Sequence, residues 1–495
     1  MTSTITDTST DRSALTGSPP EALHVSGNGK WSRRTWLLLV VLCGALFLDG
    51  LDISMVGVAL PSIGADLHMT PAALQWIVSG YVLGYGGLLL LGGRASDLLG
   101  RRSVFLVAVA AFGIASVVSA FLSNEFALIG LRFLKGVAAA FTVPAGLSII
   151  TTTFAEGPAR NKALSIYTVC GASGFSMGLV FGGILTELGW RATFLLPGPV
   201  ALLLLFVGMR VVPKSERQRS SLVHFDLFGA FTSTASLLLL VYAVVEAPAR
   251  GWTNPLTWAL LIVSLVLAVV FIAIELRHAH PLVRLGILRS SQLVHANLVG
   301  GVMFGAYVSF QFVVTLYLQN SLGWSPLAMA FGFLPAGLLV MASATRMGAI
   351  LERFDTSALI AVGLAAFVGG YALFLRVEPG MAYASFLLPT MLLLGIGFAL
   401  CFPSINAQAT AGVDDDEQGL ASGLVNTSVQ IGGAVMLAVI SAIIGTGSGT
   451  IREDALLPHM TLAIGVVVGL TLVGLVGTLV VLALRPSRRA EVLAA

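Results

Sequence analysis

Residues 46–61 read LFLDGLDISMVGVALP and place two carboxylates, Asp49 and Asp52, in the middle of an otherwise apolar stretch. The surrounding run, 36–60, is long enough at ~1.5 Å per residue to cross ~30 Å of hydrocarbon. An ionisable group at that depth is expensive to bury, so both acids are functional candidates that need partners. The rest of the chain has the same character: 495 residues, 56% hydrophobic and only 10% charged, with a mean hydropathy of +0.93. Soluble domains carry ~25% charged residues. The chain therefore reads as an all-α, polytopic membrane protein rather than a soluble enzyme or a nucleic-acid binder.

Apolar runs of spanning length recur at 36–60, 72–92, 103–122, 126–150, 163–186, 192–212, 227–246, 256–275, 293–317, 327–345, 357–375, 383–405, 420–444 and 460–484. About fourteen transmembrane helices are expected, and an even number puts both termini on one side. Arg33, Arg34, Arg94, Arg101, Arg102, Arg160, Lys162, Lys214, Arg346 and Arg353 then share that side, whereas Arg191, Arg250, Arg376 and Arg452 fall on the other. The positive-inside rule makes the richer side cytoplasmic. Polar stretches at 213–225 and 276–292 divide the chain into a cytoplasmic tail (1–34), six helices (35–212), a linker holding two extra helices (213–292), six more helices (293–484) and a second cytoplasmic tail (485–495). Transporters are commonly built from such repeated halves, with the substrate path between them. Residues 1–30 lack the architecture of a signal peptide, and their Ser, Thr, Pro and Gly content predicts disorder.

Well inside the expected spans lie two acids, Asp49 and Asp52, and two bases, Arg132 and Lys135. The first helix runs outward and the fourth inward, which puts Asp52 and Arg132 at a common depth of ~12 Å from the outer end. Asp49 and Lys135 each sit three residues deeper, so the spacing predicts two rungs of opposite charge, Asp52 with Arg132 and Asp49 with Lys135. Such a carboxylate can exchange a proton while a cationic substrate competes for its charge. The plainer alternative is an ion pair that only holds helices together. The three cysteines, Cys43, Cys170 and Cys401, all lie in apolar runs and read as packing residues. No metal-ligand spacing is present, and no phosphate-binding G-x-x-x-x-G-K-[ST] loop, so energy is expected from an ion gradient with no cofactor.

Several motifs resemble the major facilitator superfamily, in particular its fourteen-helix drug:proton antiporter branch. Residues 51–61, LDISMVGVALP, are similar to that branch's L-D-x-T-I-V-N-V-A-L-P, with Gly57 at the Asn position. The loop containing Gly93, Asp97, Gly100, Arg101 and Arg102 resembles G-x-x-x-D-R-x-G-R-R, with Leu98 at its first Arg. Arg132 and Gly136 match R-x-x-x-G, and Gly174, Gly178, Gly182 and Gly183 match G-x-x-x-G-P-x-x-G-G except that Leu179 replaces proline.

The resemblance implies a six-plus-two-plus-six helix fold in a plasma (inner) membrane. It also implies a monomer, export of hydrophobic or cationic small molecules such as antibiotics, and alternating access. Proton coupling would rest on Asp52, Asp49 and Arg132. Asp97, Arg101 and Arg102 would latch the cytoplasmic face, and the helix-five glycines would form a smooth rocking face. By repeat symmetry a substrate cavity between the halves would draw on Lys135, Asn297, Gln311, Tyr317, Asn406 and Gln408. A lone buried Asn or Gln is more often an interhelical hydrogen bond than a ligand contact. Leu179 keeps a second reading open, a symporter importing a metabolite. A membrane enzyme or sensor is disfavoured, because no soluble catalytic domain or nucleophile with an adjacent His is in the sequence.

Overall fold

The computed structural model describes residues 31–154, 158–214, 226–278, 285–378, 381–413, 418–445 and 456–484. Among them the regular elements are helices, and no strand occurs. In the first part of the chain these are α1 (Arg33–Leu67), α2 (Pro71–Leu99), α3 (Arg101–Ser119), α4 (Glu125–Thr153), α5 (Pro158–Leu188), α6 (Arg191–Leu195) and α7 (Pro197–Val211). Two helices follow, α8 (Leu227–Arg250) and α9 (Pro255–Glu275). The rest are α10 (Ser291–Leu316), α11 (Pro326–Arg353), α12 (Thr356–Phe374), α13 (Tyr383–Thr410), α14 (Gln418–Gly445) and α15 (Met460–Leu484). A π turn, Tyr317–Ser321, prolongs α10. The segment 1–30, the acidic run 414–417 and the segment 485–495 lie outside the described residues, as does His280.

Local chemistry sets the helix limits. Ser32, Thr70, Asn124, Asp226, Asn254, Ser290, Ser325 and Asp355 each accept from a backbone N–H in the first turn of the helix that follows, satisfying donors that have no partner within the helix. α1 runs from that Ser32 cap to His68, which takes the left-handed conformation (φ 54°) and returns its N–H to the Gly64 carbonyl. The first helix is thus longer than the apolar run 36–60, because capping chemistry rather than hydropathy ends it. Between α2 and α3 the chain turns on Gly100 at φ 92°, where a side chain would be strained.

Twelve helices among the described residues are long and apolar enough to cross a membrane, with α6 and α7 forming one such stretch, Arg191–Val211. In α2 and α8 the apolar stretches are shorter, Ala73–Leu89 and Phe228–Val244.

Helix pairings repeat along the chain. In the first part α1 packs on α5 and α7, α2 on α4, and α3 on α4 and α7; later α10 packs on α14 and α15, α11 on α13, and α12 on α13 and α15. The same order of neighbours is used twice, as expected of an internal repeat. The two sets meet along α2/α14, α5/α11 and α1/α10, and α8 lies against both α2 and α14 with α9 behind it.

Contacts between the sets are well defined at the end where α1 and α5 finish. Gln319 Nε2 donates to the Val58 carbonyl at 2.9 Å, and the Leu327 N–H points at Glu187 Oε1 at 3.4 Å. A Cβ on Gly183 would sit 2.6 Å from that of Ala330.

Candidate functional site

The intramembrane charges converge on a single carboxylate. Asp52 Oδ2 accepts from Arg132 and Asp52 Oδ1 from Lys135, and the three side chains are 0%, 1% and 0% exposed. Arg132 Nε donates to the Ile77 carbonyl at 3.0 Å, and its guanidinium lies 4.6 Å from the centroid of the Tyr81 ring. The Lys135 ammonium lies 4.7 Å from the Phe112 ring and 5.5 Å from Phe194. Both cations therefore have an anion and an aromatic face, which is the company a charge needs in a low-dielectric interior. Removing one partner of such a buried pair costs ~3–5 kcal/mol, because the other charge is left uncompensated.

The expected pairing of Lys135 with Asp49 is not what forms. Helical side chains lean toward the N-terminus of their own helix, and α1 and α4 run antiparallel. Lys135 thus leans one way along the axis and the α1 carboxylates the other, and the long lysine stem reaches the next turn of α1. Asp49 is left beside the cluster, 4% exposed, with Oδ2 making no hydrogen bond among the described residues. It borders a small cavity lined also by Ala45, Leu48, Val109, Phe112, Thr142 and Ala201.

Both acids lie on the face of α1 turned into the bundle formed with α2, α3 and α4. Other α1 residues face α5: a Cβ on Gly174 would fall on the Phe47 carbonyl, one on Gly178 on Ser54 and the Leu51 carbonyl, and one on Gly182 within 2.9 Å of Met55 Cα. Ser54 Oγ donates to the Phe175 carbonyl at 2.7 Å. Gly183 instead meets α11, in the other repeat. The glycine row therefore serves two contacts, three residues on α1 and one across the seam. Leu179, which stands in place of the branch's proline, is buried among them at 2% exposure.

Of the loop motif, Gly93 and Gly100 lie at the end of α2, and the side chain of Asp97 is outside the described residues. Arg102 donates to the Val212 carbonyl at 2.8 Å and to the Met209 carbonyl at 2.5 Å. It thereby caps the end of α7, where unpaired carbonyls favour a cation. This contact stays within α1–α7 and does not bridge the halves.

The polar residues expected to line a cavity divide in the structure. Asn297 donates to the Leu293 carbonyl at 2.8 Å and accepts from Ser428 Oγ at 2.6 Å, joining α10 to α14. Asn406 Nδ2 returns to the Phe402 carbonyl of its own helix at 2.8 Å. Gln408 contacts His295 at 3.1 Å, and His295 contacts Thr478 at 3.0 Å, a chain linking α13, α10 and α15 inside the second repeat. Tyr317 is fully buried, edge-on to Phe374. Gln311 reaches the α1/α10 seam, where a Cβ on Gly57 would sit 3.4 Å from its Nε2. The small residue at position 57 thus leaves room for that amide.

Sequence reasoning did not foresee an aromatic group bridging the repeats. Phe175 of α5 packs against Tyr307 of α10 (centroids 5.8 Å apart) and stacks with Phe398 of α13 (6.5 Å), which in turn stacks on Phe402 (5.4 Å). Partial exposure of Phe175, Phe398 and Phe402 among so many buried neighbours is the signal that distinguishes them.

Residues 42–437 match the family model described as Major Facilitator Superfamily. The chain belongs to the major facilitator superfamily. Within the superfamily it is 37% identical to the puromycin resistance protein of Streptomyces alboniger, over 83% of this chain and 82% of that one. It is 36% identical to the cephamycin export protein of Amycolatopsis lactamdurans, over 84% of this chain and 86% of the relative. In fold it resembles the crystal structure of the POT family transporter PepTSo, with a TM-score of 0.68, 15% identity, and coverage of 91% of this chain and 98% of that one. The superfamily consists of membrane transporters, so the buried charges belong to a transport protein and not to an enzyme active site.

Proposed function

We propose that this protein is a secondary active transporter that exports hydrophobic or cationic small molecules, antibiotics among them, in exchange for protons. The observation that carries the proposal is the sealed cluster of Asp52, Arg132 and Lys135, with Asp49 beside it, in a superfamily member whose relatives are resistance and export proteins. Four ionisable groups at membrane depth are a large expense for packing alone. Because the cluster is closed off within the first bundle, coupling to substrate is indirect: a change of charge there alters how α1 and α4 pack, and α1 carries the change to α5 and α10. The partly exposed Phe175, Phe398 and Phe402, packed with the buried Tyr307, supply the apolar surface for substrate between the repeats.

Counting α2 and α8 as spans gives fourteen, arranged six, two and six, with both termini in the cytoplasm of a plasma membrane. The contacts of Gln319 with Val58 and of Gly183 with α11 then close the outer face, and substrate enters from the cytoplasmic side. The protein acts as a monomer, without a cofactor.

Everted membrane vesicles test this reading. In vesicles acidified internally, the protein is expected to accumulate ethidium, and collapsing the pH gradient with nigericin should release it. Ethidium movement that ignores the gradient would overturn the proposal. Movement in the opposite direction would favour a symporter.

A further inference from the structure

We propose that Asp49 is the carboxyl group that loads and unloads the coupling proton, while Asp52 remains the fixed counter-ion of Arg132 and Lys135. The proposal rests on the reading of the chain as a proton-coupled exporter and divides its two carboxylates by their surroundings.

Both oxygens of Asp52 are occupied by cations, and those cations are themselves held, by the Ile77 carbonyl and the Tyr81 ring on one side and by Phe112 and Phe194 on the other. Protonating Asp52 would strand two buried positive charges at once, the costliest change available to the cluster. Asp49 is placed differently. It is 4% exposed, its Oδ2 lacks a hydrogen-bond partner among the described residues, and the residue borders the small cavity with Thr142 and Phe112.

Among the described residues, the ionisable groups within electrostatic reach of Asp49 are Asp52 on its own helix, Lys135 on α4, Tyr81 and Tyr85 on α2 and Tyr167 on α5. Facing it from α3 and α7 are the apolar Val109, Phe112 and Ala201. Lys135, the cation among them, is already bound to Asp52. A carboxyl group in oil without a cation in contact is most cheaply kept neutral.

The exchange is simple in balance: Asp49 as –COOH yields –COO⁻ and one H⁺, with no other bond changed. With Asp49 neutral, the two cations outweigh the Asp52 anion and the cluster is net positive. With Asp49 ionised, the cluster is neutral. Loading the proton therefore makes the first bundle more repellent to a cationic substrate, which is the sign antiport requires. Thr142 is held by its own helix, its Oγ1 donating to the Ala138 carbonyl at 2.9 Å, so it offers Asp49 an acceptor and not a donor.

Infrared difference spectra of the purified protein in lipid, taken across a pH titration, read the group directly without a substrate. The wild type should show the C=O band of a protonated carboxyl group that disappears on raising the pH. Asp49→Asn should abolish that band, and Asp52→Glu should leave it at its original frequency. Where Asp49→Asn fails to fold, Asp49→Glu serves, and the band should move. A band that survives Asp49→Asn, that is unmoved by Asp49→Glu or displaced by Asp52→Glu, or that is absent from the wild type, overturns the assignment. Proton-driven ethidium transport by the wild type is measured separately, so the assignment can fail while the exporter reading stands.

Discussion

Lys135 Nζ bonds Asp52 Oδ1, passing over Asp49, which lies one helical turn nearer the start of α1. One carboxylate thus balances two cations, and the energies of the three should be strongly coupled. Asp52→Asn strands both cations and is expected to destabilise the protein by ~3–5 kcal/mol. Adding Lys135→Met to that variant removes one stranded charge. The double variant should be more stable than the sum of the single effects by ~0.5–3 kcal/mol. Thermal unfolding in detergent, run as a double-mutant cycle, measures this, and additive effects would show that the contact contributes nothing.

The glycines of α5 make separable predictions. Gly178 has no room for a Cβ against Ser54 and the Leu51 carbonyl, so Gly178→Val should lower the melting temperature and the yield of monodisperse protein. Gly183 lies against Ala330 of the other repeat instead. Gly183→Leu should leave the first bundle intact and loosen contact between the halves at that end, seen as increased thiol labelling of a cysteine placed at Leu327. Equal loss of stability in both variants, with no change in labelling, would contradict this division.

At the end where α1 finishes, Asp66 accepts from Trp190 Nε1 at 3.0 Å and from Arg191 at 2.7 Å, and Arg191 also donates to Ser123 at 3.1 Å. The Asp66–Arg191 pair is 48% and 41% exposed, so water and salt screen it and Asp66→Ala should cost no more than ~1 kcal/mol. Trp190, 5% exposed and edge-on to Phe194, is expected to cost ~3–5 kcal/mol on truncation to Ala. Chemical or thermal unfolding of the two variants should rank them in that order, with the first effect shrinking further at high salt.

The helical membrane fold was legible because hydropathy and spanning length are properties of each segment by itself. Asp52 and Arg132 could be matched by depth, since antiparallel helices convert residue number into height. Lys135 could not be assigned by height alone: the lean of side chains along their helix decides which turn a four-carbon stem reaches. Asn297 and Asn406 were recognisable as polar groups in apolar helices, but only coordinates show that one joins α10 to α14 and the other bonds its own backbone. The chain from Gln408 through His295 to Thr478 draws on three helices far apart in sequence, so no local spacing announces it. The contact of Arg102 with the end of α7 was hidden for the same reason, and a loop that reads as a latch is, at that residue, a helix cap.

The insert helix α8 is tied to α2 by specific chemistry. Trp76 Nε1 donates to Glu246 Oε1 at 3.1 Å, Glu246 pairs with Arg250 at 3.2 Å, and Thr234 Oγ1 donates to the Gly87 carbonyl at 3.0 Å. Glu246→Ala should therefore weaken the docking of α8 on α2 by ~1–3 kcal/mol, because Trp76 loses a charged acceptor. Reduced thermal stability that Trp76→Phe reproduces, without further loss in the double variant, would identify this bond as the cause. Additive losses would assign the effect elsewhere.

The most direct test of the central claim compares wild type and Asp52→Asn in proteoliposomes under an imposed pH gradient, with insertion and monodispersity verified for both. In the variant Asp49 becomes the one carboxylate left beside the two stranded cations, whose field favours its anion, so the exchangeable group is lost along with the fixed one. The account predicts gradient-driven ethidium transport by the wild type and its loss in Asp52→Asn. Undiminished gradient-driven transport by that variant would contradict it.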